Sequence, residues 1–548
     1  MQELGISFGT LNWAIVGAYL IGNLFLGWRM SRRISSAEDY NFGDRSTPWW
    51  AIGISVMATY VSALSFLGGP AWAYGDGMAA LAIHINYPLV IFVVIVFFLP
   101  FFFNSGLSSI YEYLERRFGP TSRTVMSLLF MMSQSITTAS ILTATAIVVT
   151  FVTGIEPRTA IVAMSVIVVL YTLMGGMNAV IWTDVLQGVI LFIGAGVVLY
   201  FLLVDVSPLT GPSGALAFLA QNEKLDPLNT SLDLSIAPTV WSGVLAMTLF
   251  HITVYGGNQM MVQRAMAAKN IGDAKKSYLM MGYGAFFIYF LFFFIGALLF
   301  VHFEGRPFDQ TNEIILTFAN SLAIPGLMGI LVAAVLSASM SSLSSAFNSL
   351  STVSVVDFYK PFAKKDGSEK HYLNASRVFT LVWAVIVIPM AFAFIESGGS
   401  ILETLSKVGS YLVGAKLAMF GLGFFSKHTN EKGLLIGVVA GFVSLALVTG
   451  FAGFEGLYPE LAWPWYVVLG GGVNITVSWV ASVLLGGFQS DWHEHSVPGQ
   501  KAKFAASGAP QSEKGWYVVP GLAETPVWGL LITFAAIILF LAWFASLA

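Results

Sequence analysis

The sequence predicts an all-α polytopic membrane protein with about fourteen transmembrane helices. Of its 548 residues, 56% are hydrophobic and only 10% are charged. A soluble domain of this size needs far more charged surface, so a lipid bilayer must surround most of the chain. The alternating pattern of a membrane β-strand is absent, which leaves helices as the spanning elements.

Fourteen stretches are apolar enough to form these helices, since one crossing takes about 20 residues. They lie near 11–30, 47–73, 78–104, 124–153, 157–174, 178–204, 237–262, 275–302, 325–358, 376–396, 401–425, 432–453, 463–486 and 524–547. Most of the 26 Lys and Arg residues, Arg264 included, then fall in loops on one side. The positive-inside rule therefore places both termini outside. The long polar loop 487–520 is predicted to be mobile.

Composition also excludes several classes of function. The net charge of −3 gives no reason to expect a nucleic-acid partner. The chain has no cysteine, which excludes disulfides, zinc–thiolate sites and thiol catalysis. The apolar spans bring no obvious nucleophile and base together, so an enzyme is not expected.

Two of the spans contain residues that weaken a helix. The second span contains Gly68, Gly69 and Pro70, and the seventh contains Gly256 and Gly257. Both segments are candidates for unwinding near the membrane midplane. Because they are five spans apart, they predict two five-helix repeats of opposite orientation, with a transporter's binding site at the breaks. The alternative is that these glycines only allow close helix packing.

The ninth span carries a stripe of hydroxyl and amide side chains. These residues are spaced by three and four positions, so they share one helix face. Their oxygens, set against carbonyls of an unwound helix, suit a monovalent cation such as sodium. The alternative is that the serines bond to their own helix and allow close packing. The stripe consists of Ser337, Ser341, Ser344, Ser345 and Asn348.

Two ionisable residues lie within apolar spans. Asp184 comes near the start of the sixth span, where it is either a helix N-cap or a ligand for a cation. Lys416 falls close to the middle of the eleventh span, so it is expected to face protein, water or a ligand rather than lipid.

Six stretches resemble a known family, the sodium/solute symporters that include sodium-coupled glucose, iodide, monocarboxylate and sialic acid carriers. They are AEDYNFGDRSTPWWAIG, IYEYLERRFG, LMGGMNAVIWTDVLQG, NQMMVQRAMAAK, SASMSSLSSAFNSLSTVSVVDFYK and FFSKHTNEKGLLIGVVAG. The resemblance implies a sodium-coupled symporter of the inner (plasma) membrane with a leucine-transporter-like core of five plus five helices. The single transmembrane domain 1–548 then divides into an extra helix 11–30, repeats 47–204 and 237–425, and three C-terminal helices 432–547.

The resemblance also implies sites for one or two coupling sodium ions. The first site would use main-chain oxygens of the broken second span and groups of the ninth span. Its matching positions are Ala58, Val61, Ala338, Ser341 and Ser342. A second site, which some members have, would use Asp184, Ser344 and Ser345.

The match to the family weakens in the substrate pocket. Five polar positions of the sugar carriers correspond here to Ser65, His84, His251, Ala285 and Ser406, so most of the sugar-binding set is missing. The arginine of sialate carriers has no counterpart in the span 124–153. A buried lysine with two histidines suits a small carboxylate or another organic anion, and a neutral sugar or polyol is the alternative. The candidate contacts are Tyr60, Ser62, Ser65, His84, Tyr87, His251, Tyr255 and Lys416.

Overall fold

The computed structural model is mostly helical, as the sequence predicts. It describes residues 8–32, 34–43, 45–107, 109–308, 313–397, 401–450 and 454–547, and the main chain alone at 64, 105, 207–213, 397 and 401–408. Within these residues there are two short strands, β1 (Ser512–Glu513) and β2 (Trp516–Tyr517), which pair with each other in antiparallel orientation.

Twenty α-helices account for most of the described chain. The first ten are α1 (Thr10–Ser31), α2 (Ala37–Phe42), α3 (Trp49–Tyr60), α4 (Ala63–Asp76), α5 (Tyr87–Val93), α6 (Leu99–Ser105), α7 (Ile110–Arg117), α8 (Pro120–Thr153), α9 (Pro157–Gln221) and α10 (Met247–Tyr255). The others are α11 (Gln259–Met266), α12 (Ile271–His302), α13 (Ile314–Ser321), α14 (Leu327–Val353), α15 (Glu369–Ser397), α16 (Ile401–Phe425), α17 (Glu431–Thr449), α18 (Tyr466–Leu484), α19 (Val497–Ser507) and α20 (Thr525–Ala545). Short 3₁₀ and π-helical turns extend several of them, at Gly77–His84, Val94–Phe98, Ser242–Ala246, Ser354–Ala363 and Trp463–Trp465.

Ten helical segments of the described chain are long and apolar enough to cross a membrane. Two of these segments each combine two predicted spans, and two further predicted spans correspond to shorter helices, so all fourteen predicted spans have a helical counterpart. The second and third predicted spans contribute to Ser65–Asn104, and the fifth and sixth form Pro157–Val206. The seventh and eleventh correspond to the shorter apolar helices Ser242–Tyr255 and Gly409–Phe425. The fourteen crossings and the outer position of both termini stay predictions.

Helix α9 runs through the loop predicted between the fifth and sixth spans. Its apolar part has 50 residues, which would measure about 75 Å in a straight helix, against about 30 Å of hydrocarbon. Gly176 has a φ of 50°, in the left-handed region that favours glycine. A Cβ at this position would lie 2.5 Å from the carbonyl oxygen of Tyr40. The φ angle of Gly176 therefore interrupts the regular geometry of α9 at the predicted loop, and two crossings by this helix stay a prediction.

The second span breaks earlier than predicted. Helix α3 ends at Tyr60, Val61 and Ser62 are extended, and α4 begins at Ala63. The predicted break at Gly68, Gly69 and Pro70 is wrong, because these residues lie inside α4.

The glycine-rich part of α4 serves close packing instead. A Cβ on Gly296 of α12 would lie 2.2 Å from the carbonyl oxygen of Pro70. A Cβ on Gly69 would lie 3.5 Å from Phe292. The packing alternative is therefore the correct one for this segment.

The break in the seventh span lies where the sequence predicts it. Helix α10 ends at Tyr255, and α11 begins at Gln259 after Gly256 and Gly257. The side chain of Asn258 accepts a hydrogen bond of 2.9 Å from Met260 N, which caps the new helix.

The segment 487–520 is structured, so the prediction of a mobile loop is wrong. It contains α19 and the β1–β2 pair. Tyr113 donates a hydrogen bond of 2.9 Å from its hydroxyl to His495 O, and Trp516 packs against Gly272 of α12. These contacts fasten the segment to the helical core, which its polar composition alone does not predict.

Candidate ion and substrate site

The break in the second span brings main-chain carbonyl groups against α14, the helix that carries the hydroxyl stripe. Ser342 Oγ donates to Thr59 O at 2.9 Å and to Ala338 O at 3.3 Å. Ala58 lies in the last turn of α3, Val61 follows that helix directly, and both are buried. Carbonyl groups at a helix end lack intrahelical donors, so the end of α3 has oxygens available for a hard cation.

Ser341, also predicted for the first sodium site, contacts a different group. Its Oγ donates to Asp184 Oδ1 at 2.7 Å. The structure therefore groups the Ser341 hydroxyl with the residues predicted for the second sodium site.

Asp184 lies fully buried within α9. The N-cap alternative is wrong, because the helix continues on both sides of this residue. Asp184 Oδ2 accepts hydrogen bonds from Ser55 Oγ at 2.5 Å and from Thr59 Oγ1 at 3.2 Å. A carboxylate inside a membrane protein needs such partners, and hydroxyl groups of α3 and α14 supply them.

Arg264 of α11 completes this cluster, although the sequence predicts it in a loop. The loop prediction is wrong, since its side chain is 0% exposed and lies 3.1 Å from Asp184 Oδ2 through Nη2. Arg264 Nη2 also donates to Ser345 Oγ, and Nε donates to Ser55 Oγ at 2.8 Å. Arg264 Nη1 donates to Met260 O at 2.5 Å. All three guanidinium nitrogens therefore have acceptors.

None of Ser55, Thr59 and Arg264 is among the predicted site residues. The spacing of Ser55 and Thr59 is a signal that the sequence contains, because polar residues four apart share a helix face. Arg264 lies two positions beyond the predicted seventh span, where an arginine ordinarily faces water, so its place in the sequence does not signal burial.

The remaining members of the hydroxyl stripe differ in their partners. Ser344 Oγ donates to Ser341 O at 3.2 Å and Ser345 Oγ donates to the same carbonyl at 2.6 Å, as the packing alternative predicts. Of these two, Ser345 is the one that contacts Arg264. Asn348 Nδ2 donates to Tyr40 O at 3.4 Å, away from the cluster.

The predicted substrate contacts form a layer of aromatic rings beside the two breaks. His251 is bonded at both ring nitrogens, through Nδ1 to Asn86 Oδ1 at 3.0 Å and through Nε2 to Tyr60 OH at 2.8 Å. Since Asn86 Nδ2 donates to Gly243 O, its Oδ1 must accept, and the hydrogen-bond network assigns the His251 proton to Nδ1. The neutral ring then accepts from the Tyr60 hydroxyl, which His251 holds in place.

His84 belongs to the same layer. Its Nδ1 lies 3.0 Å from Tyr87 OH, and its ring stacks on Tyr289 with 3.7 Å between centroids. The rings of Tyr60 and Tyr255 lie 5.3 Å apart. The structure thus brings five predicted aromatic contacts together and adds Tyr289, which the sequence analysis does not single out.

The other predicted contacts lie at the edges of this layer. Ser62 is extended at the break itself, and Ser65 N bonds to Ser62 O at 2.9 Å in the first turn of α4. Lys416 is 6% exposed and has no carboxylate or hydrogen-bond partner within the described part of the chain. It lies one turn before Phe420, whose ring is 3.2 Å from a Cβ built on Gly257. The side chain of Ser406 lies outside the described residues.

Comparison with known proteins agrees with this geometry. The sodium/sialic acid symporter SiaT of Proteus mirabilis (strain HI4320) is 30% identical over 448 residues, which cover 80% of this chain and 89% of that protein. The human sodium/iodide cotransporter is 29% identical over 468 residues, which cover 83% and 71%. A solved structure of a Na⁺-coupled sialic acid symporter, substrate-bound and outward-open, has a TM-score of 0.79 at 28% identity. That match covers 87% of this chain and 98% of the other.

The chain also matches the sequence model of a whole protein family. The model of the sodium:solute symporter family covers residues 40–441, which include both helix breaks, Asp184 and the hydroxyl stripe. Sodium is the coupling ion of the similar proteins, and the oxygen donors around α3, α9 and α14 are the type that a hard cation prefers. The chain belongs to the sodium:solute symporter family.

Proposed function

We propose that this protein imports a small organic anion, most simply a carboxylate, together with sodium by alternating access. It would do so in the inner (plasma) membrane, with fourteen crossings and both termini outside. The observation that carries the proposal is the Ser342–Thr59 hydrogen bond, because it joins α14 to the end of α3, where main-chain carbonyl groups lack helical partners.

Sodium binding at this point couples the ion to the solute. An ion held by the main chain of Ala58 and Val61 and by Ser342 would join α3 to α14 and orient the adjacent Tyr60 and Ser62. The two conformations of the carrier then differ in their affinity for both ligands. At a membrane potential of 100 mV, each inward sodium contributes about 2.3 kcal/mol.

Lys416 supports an anionic solute. A lysine this buried, without a carboxylate partner among the described residues, carries a charge that a bound anion would neutralise. Its face of α16 points toward the break in the seventh span, through the contact of Phe420 with Gly257. Two of the similar proteins are named for sialic acid and iodide, and both of those solutes are anions at neutral pH.

A neutral sugar or polyol is the second candidate. The ring nitrogens of His251 are both bonded, and His84 is stacked flat on Tyr289. The aromatic layer therefore presents ring faces and hydroxyl groups without a charge, which suits the C–H and O–H groups of a sugar.

Thermal stabilisation of the purified protein tests the proposal. The unfolding temperature is measured in sodium chloride and in potassium chloride, with carboxylates, sugars, polyols and amino acids added in turn. A ligand that binds the folded state raises this temperature. We expect sodium to stabilise the protein and carboxylates to stabilise it further only when sodium is present.

Two variants separate the candidates. Lys416→Met should abolish the carboxylate effect and leave the sodium effect, whereas Lys503→Met, which changes an exposed lysine, should alter neither. Stabilisation by sugars or polyols that survives Lys416→Met would favour the second candidate. Equal stabilisation by sodium and potassium would contradict the sodium sites themselves.

A further inference from the structure

The residues predicted for the second sodium site are already bonded to a cation that belongs to the chain. Arg264 Nη2 lies 3.1 Å from Asp184 Oδ2 and also donates to Ser345 Oγ. These are the carboxylate and one of the two hydroxyls assigned to that ion, and Ser344 bonds within its own helix.

The charges of this buried cluster are balanced. Asp184 and Arg264 are both 0% exposed and form one ion pair, so the pair is neutral. A sodium ion placed on the same oxygens would add a charge a few ångströms from the guanidinium, out of water, where like charges repel strongly. The Asp184 carboxylate cannot serve both cations at full strength.

We propose that Arg264 determines the sodium occupancy of the second site, because its guanidinium and the second sodium ion compete for Asp184 and Ser345. The second ion binds when Arg264 leaves the carboxylate, and it is displaced when Arg264 returns. This inference rests on the proposed function and adds to it the residue that sets the ion stoichiometry.

The position of Arg264 allows such an exchange. It lies on α11, an eight-residue helix that the break at Gly256 and Gly257 separates from α10. A cavity of about 800 Å³ lies beside this helix and is lined in part by Met266 and Asn41. Gln263, next to Arg264 in the sequence, donates to Asn41 O, so α11 is bonded directly to a residue that lines the cavity.

Equilibrium binding of radioactive sodium to the purified full-length protein tests the inference. Arg264→Gln should lower the sodium concentration that fills the second site at least about tenfold, since a competing positive charge is gone. Arg264→Lys keeps the charge and should bind sodium like the wild type. The double variant Asp184→Asn with Arg264→Gln should lose the additional binding.

Stability supplies a second measurement on the same variants. Arg264→Gln leaves Asp184 without its counter-ion. The unfolding temperature of this variant should therefore be below that of the wild type in potassium and should rise toward it in sodium. The neutral double variant shows whether the cluster folds without either charge. Its unfolding temperature should not rise in sodium, because it has no carboxylate for the second ion.

The inference is overturned if Arg264→Gln binds sodium no more tightly than the wild type while the double variant is folded. The proposed function fails in a different way, through a wild type that binds no sodium in preference to potassium. In that case, sodium binding by Arg264→Gln that requires Asp184 would still support the competition.

Discussion

The hydroxyl of Ser342 on α14 and the main-chain carbonyl of Thr59 on α3 are joined by a hydrogen bond of 2.9 Å. This contact lies at the point where the second span stops being helical. Helix ends leave carbonyl groups without donors, and here a neighbouring helix satisfies one of them. The end of α3 is thus tied directly to the helix that carries the hydroxyl stripe.

Replacing Ser342 should therefore weaken sodium binding more than replacing another serine of the same helix. We expect Ser342→Ala to raise the sodium concentration for half-maximal thermal stabilisation about tenfold, or ~1.4 kcal/mol. Ser339→Ala is the control, because Ser339 contacts Thr145 and Val335 O on another side of α14. Equal effects of the two substitutions would remove Ser342 from the ion site.

Tyr60 and His251 should act as one unit. Each of Tyr60→Phe and His251→Phe removes the 2.8 Å hydrogen bond between them and should cost about 1–2 kcal/mol of unfolding free energy. The double variant should cost less than the sum by at least about 0.5 kcal/mol. Unfolding in detergent measures all three.

The matched control for these three variants is Tyr283→Phe, which removes a hydroxyl group that is bonded to Pro526 O instead of to His251. Combined with His251→Phe, it should give additive losses. Additive losses for Tyr60 and His251 as well would mean that the histidine does not hold the tyrosine.

The ion pair between Lys275 and Glu524 should stabilise the attachment of the last helix. Lys275 Nζ lies 2.7 Å from Glu524 Oε1, and the lysine side chain is fully buried. Lys275→Met should lower the unfolding free energy by about 3–5 kcal/mol, because it leaves a buried carboxylate unpaired. Adding Glu524→Gln should recover part of that loss.

The adjacent Lys276 provides the comparison for this pair. It contacts Asp273 at 3.4 Å, and 41% of its side chain is exposed, so Lys276→Met should cost at most about 1 kcal/mol. Similar losses for the two lysines in thermal unfolding would contradict a special role for the buried pair.

The docking of α19 should weaken in acid. Burial, the largest cause, lowers the pKa of both His493 and His495 below the ordinary value of 6.5. His493 Nδ1 accepts a hydrogen bond of 3.1 Å from His495 N, which protonation of that nitrogen would remove. The two histidines bind protons more readily in the unfolded segment than in the folded one. Their contribution to the stability of the folded segment is therefore complete above pH 6.5 and falls as the pH drops through this value.

Hydrogen exchange of residues 493–507 measures this effect, once corrected for the intrinsic pH dependence of exchange. Protection should be lower at about pH 5.5 than at about pH 7.5, on either side of the free histidine pKa. Replacing both histidines with asparagine should remove most of the difference. A difference that persists in that variant would assign the pH effect to other groups.

The helices could be predicted from the sequence because long apolar stretches have one stable form in a bilayer. The glycine and proline pattern did not predict the position of the first break, and only the family resemblance, through Ala58 and Val61, pointed near it. Val61 and Ser62 carry no helix-breaking signal, and their extended conformation accompanies a contact with α14, which is almost 300 positions away in the chain. Gly68, Gly69 and Pro70 carry such a signal but pack against α12 instead.

The ion site was likewise predictable from the sequence only in part. The serine stripe and Asp184 were visible as polar residues in apolar spans, and the structure places Ser341 and Ser345 around the carboxylate or its partner. Arg264 was hidden by its place at the end of a span, where arginine ordinarily faces water. The aromatic layer was predictable in part only, since Tyr289 joins it from α12 through tertiary packing.

The pairing of Asp184 with Arg264 has a consequence for the biosynthesis of this protein. The two residues are 80 positions apart, so the aspartate enters the membrane before its partner has been synthesised. An unpaired charge at the centre of a membrane helix costs about 2.5–3.5 kcal/mol during insertion by the translocon. The polar interior around Asp184 is therefore completed only when α11 arrives, which makes membrane assembly of these two parts of the chain cooperative.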